Sequence, residues 1–351
     1  MMARRYSHTT LIRVASSLLE RSGLDPIAAE TMSKILVEAD LMGHTTHGLS
    51  LLPAYIDELS TGRMKRRGEP VVLSDHGSAV VWDGEYLSGI LLTDRAVHEA
   101  LERSDEYPVV TYAIRRAHHI ACLAAYMPAI TDRDRLGILA ASDPNARMVA
   151  PFGARMPLYS PNPIAAGIPA GSEGPIIIDL STSVVAAGVV NEHKTSGTPL
   201  PGKWLLDADG EPTDDPSALS ISGRGSILPL GGMDVGYKGY ALALLIEAIT
   251  SGLAGFGRAE QPSKWGASVF LQIINPASFS GFEEFRREMR WLANACRESE
   301  PRAGYRQVRV PGDRALALRR EQLERGVLIS DDVMNRVRDR CRSAGIAVPK
   351  G

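Results

Sequence analysis

Apolar residues fall at helical spacing through the first forty positions of the chain. Leu11, Val14, Leu18 and Leu19 make one stripe, and Ala28, Met32, Ile35, Leu36 and Ala39 make a second. Gly23 and Pro26 separate the two helices, with Asp25 standing where an N-cap belongs. A third helical piece runs over about 51–59 and stops near Gly62. After Gly68 the apolar runs shorten. Residues 71–73, 79–82, 109–114, 136–140, 164–168, 176–180 and 269–274 read as strands, bounded by glycine and proline. Helical patterns return at 91–101, 240–253, 281–297 and 330–344, the last with Val333, Val337 and Cys341 at packing positions. The alternation lacks the regular rhythm of a doubly wound sheet, and there is no internal repeat. The pattern predicts an α/β (α+β) chain in three parts. These are a helical unit at 1–68, a mixed body at 69–310, and a segment at 311–351 whose final helix docks on the body.

Bulk properties narrow the function. A hydrophobic content of 44% with 23% charged residues over 351 positions supplies enough apolar material for sizeable cores. The net charge of -2 lacks the basic footprint that nucleic acid requires as a partner. No run approaches the roughly 20 apolar residues of a membrane span, and the basic start has no apolar stretch behind it. Cys122, Cys296 and Cys341 are scattered and odd in number, which suits a reducing compartment and makes the cytoplasm the expected location.

The segment Glu38-Ala39-Asp40-Leu41-Met42-Gly43-His44-Thr45-Thr46-His47-Gly48 concentrates polar chemistry. It sets two histidines and neighbouring hydroxyls at the end of a helical pattern, before a glycine able to break it. Imidazole titrates near neutrality, and an adjacent hydroxyl can fix its tautomer, so proton transfer is a natural use. His-x-x-His also occurs on ordinary helix ends. Zinc at His44 and His47 would need further ligands that this spacing does not supply, so no metal is expected. A dinucleotide fingerprint is missing: Gly223-x-Gly225 lacks a third glycine, and Gly252-x-x-Gly255-x-Gly257 follows a helix. A near-miss phosphate loop, 197–203, ends in Trp204 and contains two prolines that remove needed N–H groups. Gly231-Gly232 through Gly236-Tyr237-Lys238-Gly239 leads into the helical pattern at Tyr240. That arrangement suits a pyrophosphate, and equally a glycine-rich turn before a core helix.

Ala-Asp-x-x-Gly-His-x-Thr-His-Gly, followed by Leu-Pro-x-Tyr, resembles the Ser-His-Gly signature of the type 2 malate/L-lactate dehydrogenase family. That family also holds ureidoglycolate, sulfolactate and diketogulonate oxidoreductases and cyclic imino-acid reductases. The resemblance continues in order through 115–126, 142–153, Asn162-Pro163, 178–188, 204–216, 228–245 and Val310-Pro311-Gly312. It implies a non-Rossmann nicotinamide-binding mixed-sheet fold of the sulfolactate dehydrogenase-like type, with the nicotinamide part at about 120–270. It further implies NAD or NADP as cofactor, a small-molecule substrate and a homodimer. The implied reaction moves hydride between cofactor and a small 2-hydroxy/2-oxo acid or cyclic imino acid. By motif, His47 is implied as the acid/base and His119 as a second one. Thr46 and Asp179 are implied as orienting groups, Asp179 by a hydrogen bond to His47. Ser142, Asp143 and Tyr55 are implied on the substrate. Asp179, Leu180, Ser181, Lys238, Gly239, Pro311, Gly312 and Asp313 are implied on the cofactor.

Departures from the family pattern concern the substrate most. Thr46 replaces the usual serine and keeps its hydroxyl. The arginine common four residues after the signature histidine is Leu51 here, which would forfeit about 1.5–3 kcal/mol of carboxylate binding. Arg147 and Arg155 are the nearby candidates to take over. The lysine of a family turn is Val189, and the loop 191–202 looks atypical. Two alternatives stay open: a reductase of an uncharged or larger carbonyl or imine, and a non-catalytic cofactor-binding homologue.

Overall fold

The structure, a computed structural model, describes residues 3–171, 173–219 and 224–349. Its first helices, His8–Arg21 and Pro26–Leu41, pack together through their apolar stripes. Asp25 caps the second, accepting from the N–H groups of Ile27 at 3.0 Å and Ala28 at 3.4 Å, with Pro26 in the first helical position. Helix Leu52–Ser60 completes the helical unit. The strand Ala3–Tyr6 pairs antiparallel with Val327–Ser330, so the two ends of the chain share one ribbon. One apolar core runs from Tyr6 and Leu11 through Leu52, Trp82 and Leu271 to Val337 and Cys341.

The body is built on a seven-stranded sheet. In spatial order its strands are Val71–Asp75, Ala79–Asp83, Val109–Ala117, Ala267–Ile274, Leu136–Ser142, Ile164–Ile168 and Ile176–Leu180. Within this sheet, only the pair Ala79–Asp83 and Val109–Ala117 is parallel among the described residues. Helix Gly89–Arg103 lies between them in sequence, capped by the Ser88 hydroxyl on Leu91 N–H. The central strand, Ala267–Ile274, arrives from far along the chain and is apolar at almost every position, as burial on both faces requires. The two sheet strands that matter most for the site are Val109–Ala117, which leads to His119, and Ile176–Leu180, which ends at Asp179 and Leu180.

Three differences from the sequence reading have physical causes. The first part of the 191–202 stretch read as an atypical loop belongs to helix Ala187–Ser196, ended by Gly197 at φ 67°. Only Val190 of that helix is fully buried, so no apolar stripe announces it. The helix expected over 240–253 begins at Tyr237 and passes into a wider turn over Ala248–Gly252 after Glu247. Helix Asp313–Arg325 also lacks a strong stripe, and its one fully buried residue is Gln322. The Gln322 amide donates to the carbonyls of Asp40 and Leu41 at 2.9 Å each, and its oxygen accepts from Leu328 N–H at 2.6 Å. It thereby ties the end of the Pro26–Leu41 helix to the C-terminal segment.

Candidate active site

The turn after helix Pro26–Leu41 is set by backbone and by one buried carboxylate. Gly43, at φ 83°, lets the His44 N–H return to the Ala39 carbonyl at 2.8 Å and end the helix. Two short 3-10 turns follow, Thr45–His47 and Leu49–Leu51, before helix Leu52–Ser60. Asp40, only 3% exposed, accepts from Leu49 N–H at 2.8 Å. Gly48 lies flat against that carboxylate, and a Cβ there would sit 2.4 Å from Asp40 Cγ. Its φ is -98°, so glycine is required by space and not by conformation. Burial pushes the Asp40 carboxyl up to about 7, with the Leu49 N–H opposing.

Thr46, His47, His119 and Tyr55 form a connected polar group. Thr46 Oγ1 lies 2.9 Å from His47 Nδ1, which leaves Nε2 for proton exchange. The rings of His47 and His119 stack with centroids 5.9 Å apart. His119 Nδ1 meets the Tyr55 hydroxyl at 2.8 Å and accepts from Ala121 N–H at 3.3 Å. With two donors on Nδ1, the neutral ring carries its proton on Nε2 and presents an N–H. Trp265 packs at 4.8 Å from the His119 ring and stacks on Tyr55 at 5.6 Å. Burial lowers the basicity of His47, an effect that the Asp179 charge opposes and His44 reinforces. His119 is held well below the ordinary histidine range by burial and by the neighbouring His47 and His118. His118 turns the other way. It is fully buried with Nε2 3.4 Å from Glu58, and burial holds it down at about 4 against the pull of that carboxylate.

Several residues sit otherwise than the sequence implies. Asp179 makes no hydrogen bond to His47. Its Oδ2 accepts from Ala124 N–H at 2.9 Å and faces Cys122 Sγ at 3.6 Å, so it reaches His47 only as a charge, and Thr46 does the orienting. Tyr55 is fully buried with its hydroxyl committed to His119, which makes it a positioning residue and not a substrate contact. Ser142 is 1% exposed and shares its hydroxyl with Thr250 at 2.9 Å and Ser251 at 3.0 Å, the chemistry of a core side chain. Asp143 accepts from Asn145 N–H at 2.9 Å. Burial raises its carboxyl to about 6, opposed by backbone N–H groups and by Arg258. Arg258, unmarked in the sequence, donates to the carbonyls of Asp143 and Ala146 and pairs with Glu247 at 2.8 Å, locking that loop. Arg147 and Arg155 are exposed, with no side-chain hydrogen bond or ion pair among the described residues, while Leu51 packs against the main core.

Two of the segments expected at the cofactor lie side by side. Leu230 N–H donates to the Thr182 carbonyl at 2.8 Å and Val184 N–H to that of Leu228 at 2.9 Å, bringing the Asp179–Leu180–Ser181 strand end beside the Gly231-Gly232 turn. Both glycines have positive φ, 101° and 62°, and a Cβ at Gly232 would meet nothing within 4 Å. Lys238 stands exposed in the first turn of helix Tyr237–Glu247, without an ion pair among the described residues. An open glycine turn, a helix start and a free ammonium fit an anionic group such as a pyrophosphate. Gly239 serves packing instead, since a Cβ there would lie 2.5 Å from Leu230 N. The Ser181 hydroxyl is spent on the Ser183 carbonyl. Pro311 accepts from Ile177 N–H at 3.1 Å and Gly312, at φ 97°, abuts the same residue, so this turn flanks the Asp179 strand. Asp313, however, gives its carboxylate to Arg297 at 2.7 and 3.1 Å and to Val310 N–H, a structural bond that holds it below the usual range. Gly223 lies outside the described residues. Two cavities of about 560 and 460 Å³ lie around the first two helices and contain none of the His47 group.

The buried Asp40 has a measurable consequence. Between pH 3.8 and about 7 the folded protein holds a proton on Asp40 that the unfolded chain has released. Stability attributable to this group therefore falls as pH rises through that window and is level above it. Urea unfolding of Asp40→Asn, which keeps an acceptor for Leu49 N–H, is expected to lose that fall relative to wild type. An unchanged slope would show that Asp40 is not protonated in the fold.

The chain matches the malate/L-lactate dehydrogenase family over residues 6–338. It is 33% identical over 331 residues to the (2R)-3-sulfolactate dehydrogenase (NADP(+)) of Chromohalobacter salexigens, across 92% of this chain and 94% of that one. Identity is 30% over 345 residues to a Delta(1)-pyrroline-2-carboxylate/Delta(1)-piperideine-2-carboxylate reductase of Pseudomonas syringae pv. tomato, across 95% of each. In fold it superposes on malate dehydrogenase from Entamoeba histolytica with a TM-score of 0.93, at 22% identity, over 99% of this chain and 100% of that chain. With the match covering nearly its whole length, the chain belongs to the malate/L-lactate dehydrogenase family and is a dehydrogenase.

Proposed function

We propose that this dehydrogenase moves hydride between NAD(P) and a small 2-hydroxy/2-oxo acid or cyclic imino acid, with His47 exchanging the accompanying proton. The observation that carries the assignment is the polar group itself. Thr46 holds His47 by Nδ1, and Tyr55 with Ala121 N–H holds His119 so that it offers an N–H. A bound nicotinamide would supply or take the hydride. In the oxidation direction His47 Nε2 accepts the hydroxyl proton, and the His119 N–H donates a hydrogen bond to the oxygen or nitrogen that carries charge. Reduction runs the same steps backwards, with His47 as the donor. Asp179 contributes a negative charge that favours the protonated His47. Lys238 at the Gly231-Gly232 turn is assigned to the pyrophosphate, with Leu180 and the Pro311-Gly312 turn beside it. The cofactor is thereby held without a doubly wound sheet.

The named relatives, a sulfolactate dehydrogenase and a cyclic imino-acid reductase, support a small acidic substrate. Leu51 favours a second reading, an uncharged or larger carbonyl or imine, because it leaves an apolar side chain where a cation would grip a carboxylate. Turnover of neutral ketones or imines in preference to pyruvate, oxaloacetate and cyclic imino acids would select it. The face around the cofactor turn supports a homodimer: Met233, Tyr237, Leu244, Leu245 and Leu253 are all exposed. Sedimentation at twice the chain mass is expected, and a monomer at micromolar concentration would contradict it. The scattered free cysteines favour the cytoplasm.

For His47→Asn, turnover on a confirmed substrate is expected to fall about 10²- to 10⁴-fold. A loss within about threefold would remove His47 from the mechanism. Because burial lowers the basicity of His47, the acid limb of the oxidation rate is expected below the ordinary histidine value of about 6.5. An acid limb above pH 6.5 would assign the proton to another group.

A further inference from the structure

We propose that His44, Cys122 and Asp179 form a zinc site with three protein donors and one open position, and that zinc occupancy and substrate turnover exclude one another. One ligand atom from each residue lies within 4.8 Å of the other two. Cys122 Sγ is 3.6 Å from Asp179 Oδ2. A tetrahedral zinc with bonds of about 2.3 Å to sulfur and 2.0–2.2 Å to oxygen places those atoms about 3.5 Å apart, so one edge of the coordination polyhedron is already drawn.

The spacing His44-x-x-His47 leaves a metal without partners in sequence, and the fold brings them from elsewhere. His44 comes from the turn closing the Pro26–Leu41 helix, Cys122 from the loop after strand Val109–Ala117, and Asp179 from the end of strand Ile176–Leu180. Each backbone is fixed. His44 is bonded on both sides, through its N–H to Ala39 and through its carbonyl to His47 N–H. The Cys122 loop bends at Ala121, with φ 58°, and Ala124 N–H holds the Asp179 carboxylate in place. An imidazole, a thiolate and a carboxylate are the donors of a borderline-soft ion, whereas magnesium and calcium take oxygen alone. On binding, the Cys122 proton leaves to solvent as the sulfur–zinc bond forms, with no change of oxidation state.

The exclusion rests on the hydride-transfer reading, because Asp179 is also the charge that acts on His47 in that site. The metal site itself does not depend on it.

Cobalt is a direct probe of such a site. The protein in a Cys296→Ser background, which removes the exposed thiol, would be titrated with Co²⁺ and then with Zn²⁺ against a chromophoric chelator. One equivalent of cobalt is expected to give a thiolate-to-metal charge-transfer band and the intense visible bands of a four-coordinate ion. Cys122→Ser should abolish the charge-transfer band, and His44→Gln should weaken zinc by about tenfold or more. Metal-free melting curves of both variants report that they fold. Absence of the band, or a zinc affinity that neither substitution changes, overturns the site. Zinc inhibition of hydride transfer that weakens in parallel in His44→Gln supports the exclusion, and inhibition unchanged in that variant overturns it. A protein that shows the cobalt band but turns over no substrate keeps the metal site and loses the hydride-transfer reading.

Discussion

A buried carboxylate holding one backbone N–H is the constraint on which the candidate site depends. Asp40 reaches from the last turn of its helix to Leu49 N–H, spanning the whole Thr46-His47-Gly48 turn from beneath. The net value of such a hydrogen bond is only about 1 kcal/mol, but leaving Leu49 N–H buried and unpaired would cost about 1–3 kcal/mol. The contact exists only because Gly48 has no side chain to occupy the space. The Asp40 carbonyl accepts from Gln322, so the histidine turn is joined through one amino acid to the C-terminal segment. Gly188 closes the turn from the other side, since a Cβ there would lie 2.9 Å from that of Thr46.

On this support the two histidine rings are held alike. Burial lowers both, and each ring has its Nδ1 engaged by a fixed partner, so the nitrogen left over is Nε2 in both cases. That division suits a reversible reaction, in which one ring exchanges the proton and the other offers a hydrogen bond that strengthens as charge develops. Glu58, itself paired with Arg63, takes up the neighbouring His118, which keeps the fully buried third imidazole from competing for the same partners.

What was legible in the sequence followed from periodicity and from groups whose partners are local. The first helices, the Asp25 cap, the seven body strands and the Thr46–His47 pair are all short-range features, and they stand where the pattern placed them. What was illegible came from distance. Nothing in the chain says that Tyr55 meets His119 or that Asp179 accepts its hydrogen bond from Ala124 N–H and makes none with His47. Arg258 is unmarked because its work is to bind carbonyls, which any sequence supplies. Ser142 and Asp313 illustrate the opposite error, polar residues that look free in sequence and are consumed by the fold. Helices Ala187–Ser196 and Asp313–Arg325 bury too little to leave an apolar stripe.

We propose that a nicotinamide cofactor sits at the Gly231-Gly232 turn with its reactive end beside His47. The most direct measurement is titration of the full chain with NADH and with NADPH, followed by fluorescence and melting temperature, in wild type and Lys238→Ala. Saturable binding of one cofactor that raises the melting temperature, and weakens by about tenfold or more without the lysine, is the result this account requires. Binding of neither cofactor, or binding indifferent to Lys238, would contradict it.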